Sequence, residues 1–183
     1  MKALLTTLLL FSLLSLSTLQ AALPGELDPT FATGSGINGE VYAIARQKDG
    51  RILIGGSFTS VQGVPRKSIA RLMSNGALDL SFDPGSGANS NVLSLFLQPD
   101  GRILMAGSFL SYAGYSCVRL IRLLPDGAVD PSFQLTAGPD GDVAAIRADA
   151  NGKIYIGGSF HAFGAETRKG VARLNANGTL DSG

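Results

Sequence analysis

A period of 51 residues constrains this chain more than anything else in it. The segment Asp49-Gly50-Arg51-Ile52-Leu53-Ile54-Gly55-Gly56-Ser57-Phe58 returns, without insertion or deletion, as Asp100-Gly101-Arg102-Ile103-Leu104-Met105-Ala106-Gly107-Ser108-Phe109. It returns again as Asn151-Gly152-Lys153-Ile154-Tyr155-Ile156-Gly157-Gly158-Ser159-Phe160. Val41, Val92 and Val143 keep the same spacing, as do Arg71, Arg122 and Arg173. The units cover residues 27–77, 78–128 and 129–179, and a fourth starts at Leu180-Asp181. A fixed period of this size means one supersecondary unit, stacked or arranged radially.

Inside the unit the hydrophobic period is two. Residues 41–45 form a short β-branched and small-residue run, and Asp49-Gly50 behind it signals a hairpin of the type I′ class. Residues 51–58 read as a second strand, apolar enough to be buried on both faces. The Gly55-Gly56 pair suits a strand onto which another backbone or a large side chain packs closely. Residues 59–67 read as a polar loop, 68–72 as a third strand, Asn75-Gly76 as a second tight turn and 77–82 as a fourth strand. Four antiparallel strands per repeat make one propeller blade. The expected fold is therefore all-β: a β-propeller segment of three four-stranded blades, forming an incomplete ring. Three copies fall below the usual four to eight blades, so the reading favours a piece of a longer repeat array over closure by self-association of several chains.

The first residues carry a different signal. Lys2, the apolar run 4–16 and the small residues Ala21 and Ala22 ahead of Leu23-Pro24 have the layout of a secretory signal peptide, expected over residues 1–21. Residues 22–183 then form the repeat domain, on the cell surface or secreted, with no further membrane span. The whole chain has 15 basic and 14 acidic residues, and removing Lys2 leaves the two balanced. A neutral chain without basic clusters offers no electrostatic footprint for nucleic acid. The single cysteine, Cys117, has no partner for an internal disulfide and reads as a partly sheltered loop thiol.

Leu-Asp-Pro-Thr-Phe at 27–31, Val41-x-Ala43-Ile44-Ala45, the Asp49-to-Phe58 segment and Ile69-Ala70-Arg71-Leu72-x-x-Asn75-Gly76 together resemble the bacterial delta-60 repeat. The resemblance spans essentially all of residues 27–181. It implies a propeller of about seven blades built from tandem copies, in exported and surface proteins often much longer than this one. It implies no known reaction and brings no catalytic residues.

Candidate chemistry is sparse. Arg71, Arg122 and Arg173 face Asp79, Asp130 and Asp181 across a turn. Their presence in every unit reads as blade-building ion pairs rather than an anion site. A binding site needs positions that differ between units, and those lie in the loops 59–67, 110–118 and 161–169. The residues nominated there are Arg66, Lys67, Tyr112, Tyr115, His161, Phe163 and Arg168. His161 is the only histidine, which argues against a histidine metal cluster or a Ser-His-Asp triad. Asp140-Gly141-Asp142 reads as turn chemistry rather than a calcium loop, which needs six to eight spaced oxygens. Gly34-Ser35-Gly36 lacks the Lys and the following helix of a phosphate loop. Asn177-Gly178-Thr179 matches a glycosylation sequon but sits at the turn of every unit. No cofactor or metal is expected.

The expected function is non-enzymatic: an exported binding or scaffold module of a larger bacterial surface or secreted protein, with an extracellular protein or carbohydrate as partner. The alternative is part of a propeller hydrolase or lyase acting on extracellular carbohydrate. Its active site would have to lie in other blades, because the inner strands 41–45, 92–96 and 143–147 are mostly small and apolar.

Overall fold

A computed structural model describes residues 26–133, 135 and 137–183. The expected signal peptide, residues 1–21, lies outside the described residues. Every regular element described is a β-strand, and each repeat builds the same set. The first contributes β1 (Val41–Arg46), β2 (Ile52–Gly56), β3 (Ser60–Val61), β4 (Val64–Pro65) and β5 (Ile69–Leu72). The second gives β6 (Val92–Leu97), β7 (Ile103–Gly107), β8 (Ser111–Tyr112), β9 (Tyr115–Ser116) and β10 (Leu120–Leu123). The third gives β11 (Val143–Ala148), β12 (Ile154–Gly158), β13 (Ala162–Phe163), β14 (Glu166–Thr167) and β15 (Val171–Leu174).

The blades are antiparallel sheets in the order β1-β2-β5, β6-β7-β10 and β11-β12-β15. The expected fourth strand shrinks to one bridge, Leu72 with Leu78, repeated as Leu123 with Val129 and Leu174 with Leu180. It ends there because the next residue is aspartate. Asp79 Oδ1 accepts the backbone N–H of Ser81 at 2.9 Å and its hydroxyl at 2.6 Å, a local turn that draws the chain off the ladder. Each blade is thus a three-stranded sheet with a bridged fourth segment, in place of the four full strands expected.

The turns also differ from the Asp-Gly expectation. Gln47 N–H bonds to Arg51 O at 2.8 Å and Gly50 N–H to Gln47 O at 3.1 Å. Only Gly50 has a positive φ, 89°. This is the three-residue hairpin with a left-handed final glycine rather than a two-residue type I′ turn. The type I′ geometry appears where no Asn-Gly pair marks it, at Gln62-Gly63 (φ 51° and 77°) and Ala113-Gly114 (φ 49° and 84°). The loops read as irregular are therefore small hairpins, β3–β4, β8–β9 and β13–β14.

The double glycine has two separate causes. A Cβ on Gly56 would lie 1.9 Å from the carbonyl oxygen of Glu40, and one on Gly107 2.0 Å from that of Asn91. There the backbone itself crosses, at the bulge that shifts register between Val41 and Ala43. A Cβ on Gly55 would instead meet Val92 Cγ1, in the next blade, at 2.5 Å.

The core accordingly lies largely between blades, with a smaller cluster of Ile54, Phe58, Val61, Ala70 and Leu72 built within the first. Leu53 and Ile69 pack with Val92, Leu95 and Met105, while Leu104, Ala106 and Leu120 pack with Val143, Ile146 and Ile154. Strand β6 lies against β1 on one side and β11 on the other, so the first strands of the blades form the inner row. Replacing Gly56 or Gly107 by alanine is expected to lower unfolding stability by about 3 kcal/mol or more, since the obstacle is backbone. Urea titration checks this, and an unchanged midpoint would contradict the close crossing.

Candidate functional site

The repeat-specific side chains sit on the three small hairpins. Each hairpin is hung from one polar residue in the preceding connection. Asn38 Oδ1 accepts the N–H groups of Thr59 and Ser60 at 2.9 and 2.7 Å. Asn89 does the same for Leu110 and Ser111, and Asp140 for His161 and Ala162 at 2.7 and 3.0 Å. The N–H donors of Ala162 and His161 hold the Asp140 carboxyl below its usual range. The carboxylate weighed as a calcium ligand is thus engaged in turn chemistry, and no group of three or more metal-ligand side chains occurs among the described residues.

Bridges of Ile37 with Val61, Ala88 with Tyr112 and Pro139 with Phe163 then set which way each hairpin faces. The second residue of β3, β8 and β13 turns inward. This corrects two of the nominated positions. Tyr112 is 0% exposed, and its hydroxyl donates to Gly127 O at 2.7 Å. Phe163 is 3% exposed in the core shared by the second and third blades. Neither faces a ligand.

The other nominated residues are at or near the surface. Tyr115 is 60% exposed in β9, and Lys67 and His161 are exposed. Arg66 and Arg168 are half-buried and fold back on their own strands, Nη1 donating to Pro65 O at 3.0 Å and Thr167 O at 2.8 Å. Arg168 also faces Glu166 at 3.8 Å. Among the described residues no hydrogen bond or ion pair joins the candidates of one hairpin to those of another, so they do not form one site.

Two cavities adjoin these elements. One of about 720 Å³ is lined by Tyr115, Cys117, Leu120, Ile121, Asp130 and Phe133. Burial pushes the Cys117 thiol up to about 11, leaving it protonated at neutral pH. The second, about 480 Å³, lies between the first turns of blades one and two and is lined by Arg46, Gln47, Lys48, Leu97 and Gln98. Periodicity did not flag the second, because its lining residues come from two units that only packing brings together.

The repeated arginines form seams between blades. Arg71 Nε donates to Asp79 Oδ2 at 2.7 Å, Nη2 to Ser81 Oγ at 3.1 Å and Nη1 to Pro125 O of the next blade at 2.6 Å. Its guanidinium lies 5.1 Å from the centre of the Phe82 ring. Arg122 repeats the set with Asp130, Ser132, Ala176 O and Phe133. With every face engaged, neither arginine is free to take an anionic ligand. Arg173 bonds to Asp181 at 2.7 Å and to Gly183 O, but its side chain is 40% exposed.

The domain of unknown function (DUF5122) beta-propeller family matches residues 47–82, 98–133 and 150–183. The chain belongs to this family. Each match begins at the first turn and runs through the small hairpin and third strand, taking in the Arg–Asp pair. The family unit is therefore the seam-bearing part of each blade. Comparison with curated proteins gives no match.

Breaking a seam should cost more than breaking its exposed counterpart. Arg122→Ala is expected to destabilise by about 3–5 kcal/mol, because it leaves Asp130 buried and the next blade's carbonyl unmet. Arg173→Ala should cost less than about 1 kcal/mol, as exposed pairs do. Chemical denaturation of both variants provides the check. Acid is a second probe. Burial pushes the carboxyls of Asp79 and Asp130 up, but hydrogen bonds from Ser81 and Ser132 and the paired arginines outweigh it and hold them below the ordinary 3.8. A folded-state value below the unfolded one means stability is present above the unfolded value and lost as pH falls through the folded one. Unfolding midpoints should thus hold steady at neutral pH and drop below about pH 4, and Asp130→Asn should shrink that drop.

Proposed function

We propose that this chain is an exported, non-enzymatic module that binds an extracellular protein or carbohydrate through the tips of its small hairpins. The observation that carries this reading is the contrast between frame and tip. The inward residues and the seams repeat from blade to blade, whereas the outward positions change chemistry: Val64, Tyr115 and Glu166 at one place, Thr59, Leu110 and His161 at another. Tyr115 and Leu110 are apolar groups held in solvent on a rigid support, an arrangement suited to stacking on a sugar ring or an apolar side chain. The leader-like residues 1–21 and the resemblance to the delta-60 repeat support export and a surface or secreted setting.

Glycan and peptide arrays probed with the purified protein test this. Tyr115→Ala is expected to weaken binding at least tenfold with the thermal midpoint unchanged, and His161→Ala to weaken it less. Binding that survives both changes would place recognition away from the hairpins. Turnover of a polysaccharide by the purified chain would overturn the non-enzymatic reading.

A further inference from the structure

The cavity of about 720 Å³ beneath the second hairpin has a wall that the other two repeats build differently. Its lining includes Cys117, Val118, Leu120, Ile121, Val129 and Phe133. The first repeat carries Arg66-Lys67 and the third Arg168-Lys169 where the second has Cys117-Val118. Arg66 lays its long stem inward until Nε is buried, and its guanidinium folds back onto Pro65 O. A thiol and an isopropyl group in the same two places reach much less far and leave space above Leu120 and Ile121.

A second difference keeps that space open. Between the first two blades, Ala88 N–H donates to Lys67 O at 3.3 Å and ties the connection to the hairpin, with Pro84 and Gly87 buried beside it. Pro139 stands at the position of Ala88 and has no N–H to give. Gly138, the counterpart of Gly87, is only half-buried.

The chemistry of the lining selects the ligand. None of the described lining side chains is basic. Asp130 is the one carboxylate, and Arg122 and both donors of Ser132 already engage it. The Cys117 thiol is protonated at neutral pH. An ion entering here would give up its hydration without gaining a counter-charge, whereas apolar surface gains by leaving water. Small-molecule sites are typically clefts of about 300–1,000 Å³ lined mainly by hydrophobic and aromatic side chains.

We propose that this cavity binds a small uncharged hydrophobic molecule, of aromatic or branched-hydrocarbon class, packed against Leu120, Ile121 and Phe133. The site does not depend on what the hairpin tips bind; of the outward residues named above, only Tyr115 lines it.

N-phenyl-1-naphthylamine, an uncharged aromatic whose emission rises on leaving water, tests this with the full chain. The expected result is saturable binding, with alkylation of Cys117 by N-ethylmaleimide slowed while the probe is bound. The same ring system carrying a sulfonate should bind at least tenfold more weakly. The double substitution Cys117→Arg, Val118→Lys gives the second repeat the residues that its neighbours carry. It should weaken probe binding at least tenfold without lowering the thermal midpoint. Should that variant unfold, Val118→Phe fills the cavity without adding charge and is expected to exclude the probe equally. The proposal is overturned if the unaltered chain shows no saturable binding, or if the sulfonate binds as well as the neutral probe. It is overturned too if a folded filled variant still binds, or if bound probe leaves Cys117 alkylation unchanged.

Discussion

The structure depends on one repeated contact, the guanidinium that closes a blade and holds the next. Arg71 binds a carboxylate and a hydroxyl of its own connection and a backbone carbonyl 54 residues on, while the ring of Phe82 supports its face. Taking such an ion pair out of water costs several kcal/mol, and the pair is tolerable only when every remaining donor is met. Here the planar fork meets that condition in a way an ammonium could not, since it serves three acceptors in fixed directions. The aspartate is equally well satisfied: Asp130 accepts from Arg122 and from both donors of Ser132, with the Arg102 guanidinium as a second ion-pair neighbour at 3.0 Å.

That contact works because the apolar core has the same logic. Most of the core lies between blades: one face of a sheet becomes interior when a neighbour covers it, while Ile54, Ala70 and Leu72 of the first blade are buried with Phe58 and Val61 of the same blade. Stability in such an array is a sum of blade terms and neighbour terms. Small residues at the joint allow the close approach: Gly55 leaves room for Val92, and Gly56 for the crossing backbone at Glu40. The hairpins are fixed just as firmly, each by a single Asn or Asp side chain reaching two successive N–H groups, so their tips are displayed without movement of the frame.

Much of this was legible beforehand. The strands around Val41, Ile52 and Ile69 follow from period-two patterning, and the Arg–Asp pairing follows from opposite charges spaced across a turn. Other features were not. Tyr112 and Phe163 each stand in a short glycine-containing stretch that differs between repeats and look like surface aromatics. They are buried because a single bridge to Ala88 or Pro139 turns them inward. The type I′ turn at Ala113-Gly114 lacks the usual asparagine, since the bridges on either side hold the alanine at positive φ. Composition signals turns where residues prefer them, and tertiary pairing can impose them elsewhere.

Sequence alone therefore determined the architecture: a rigid 51-residue period, strand-type alternation and glycine-marked turns admit little besides repeated antiparallel blades. Those signals are local, and each unit carries its own copy. What only the tertiary structure decided is how the units meet. The partner of Arg71 Nη1 is a backbone carbonyl, which every residue possesses and no sequence marks. The exposure of Ile44 and of Val171 depends in the same way on whether a neighbouring blade covers the position. Equivalent positions become core in one repeat and surface in another, as Ile146 and Ile44 do, wherever burial comes from the contact between units and not from the unit itself.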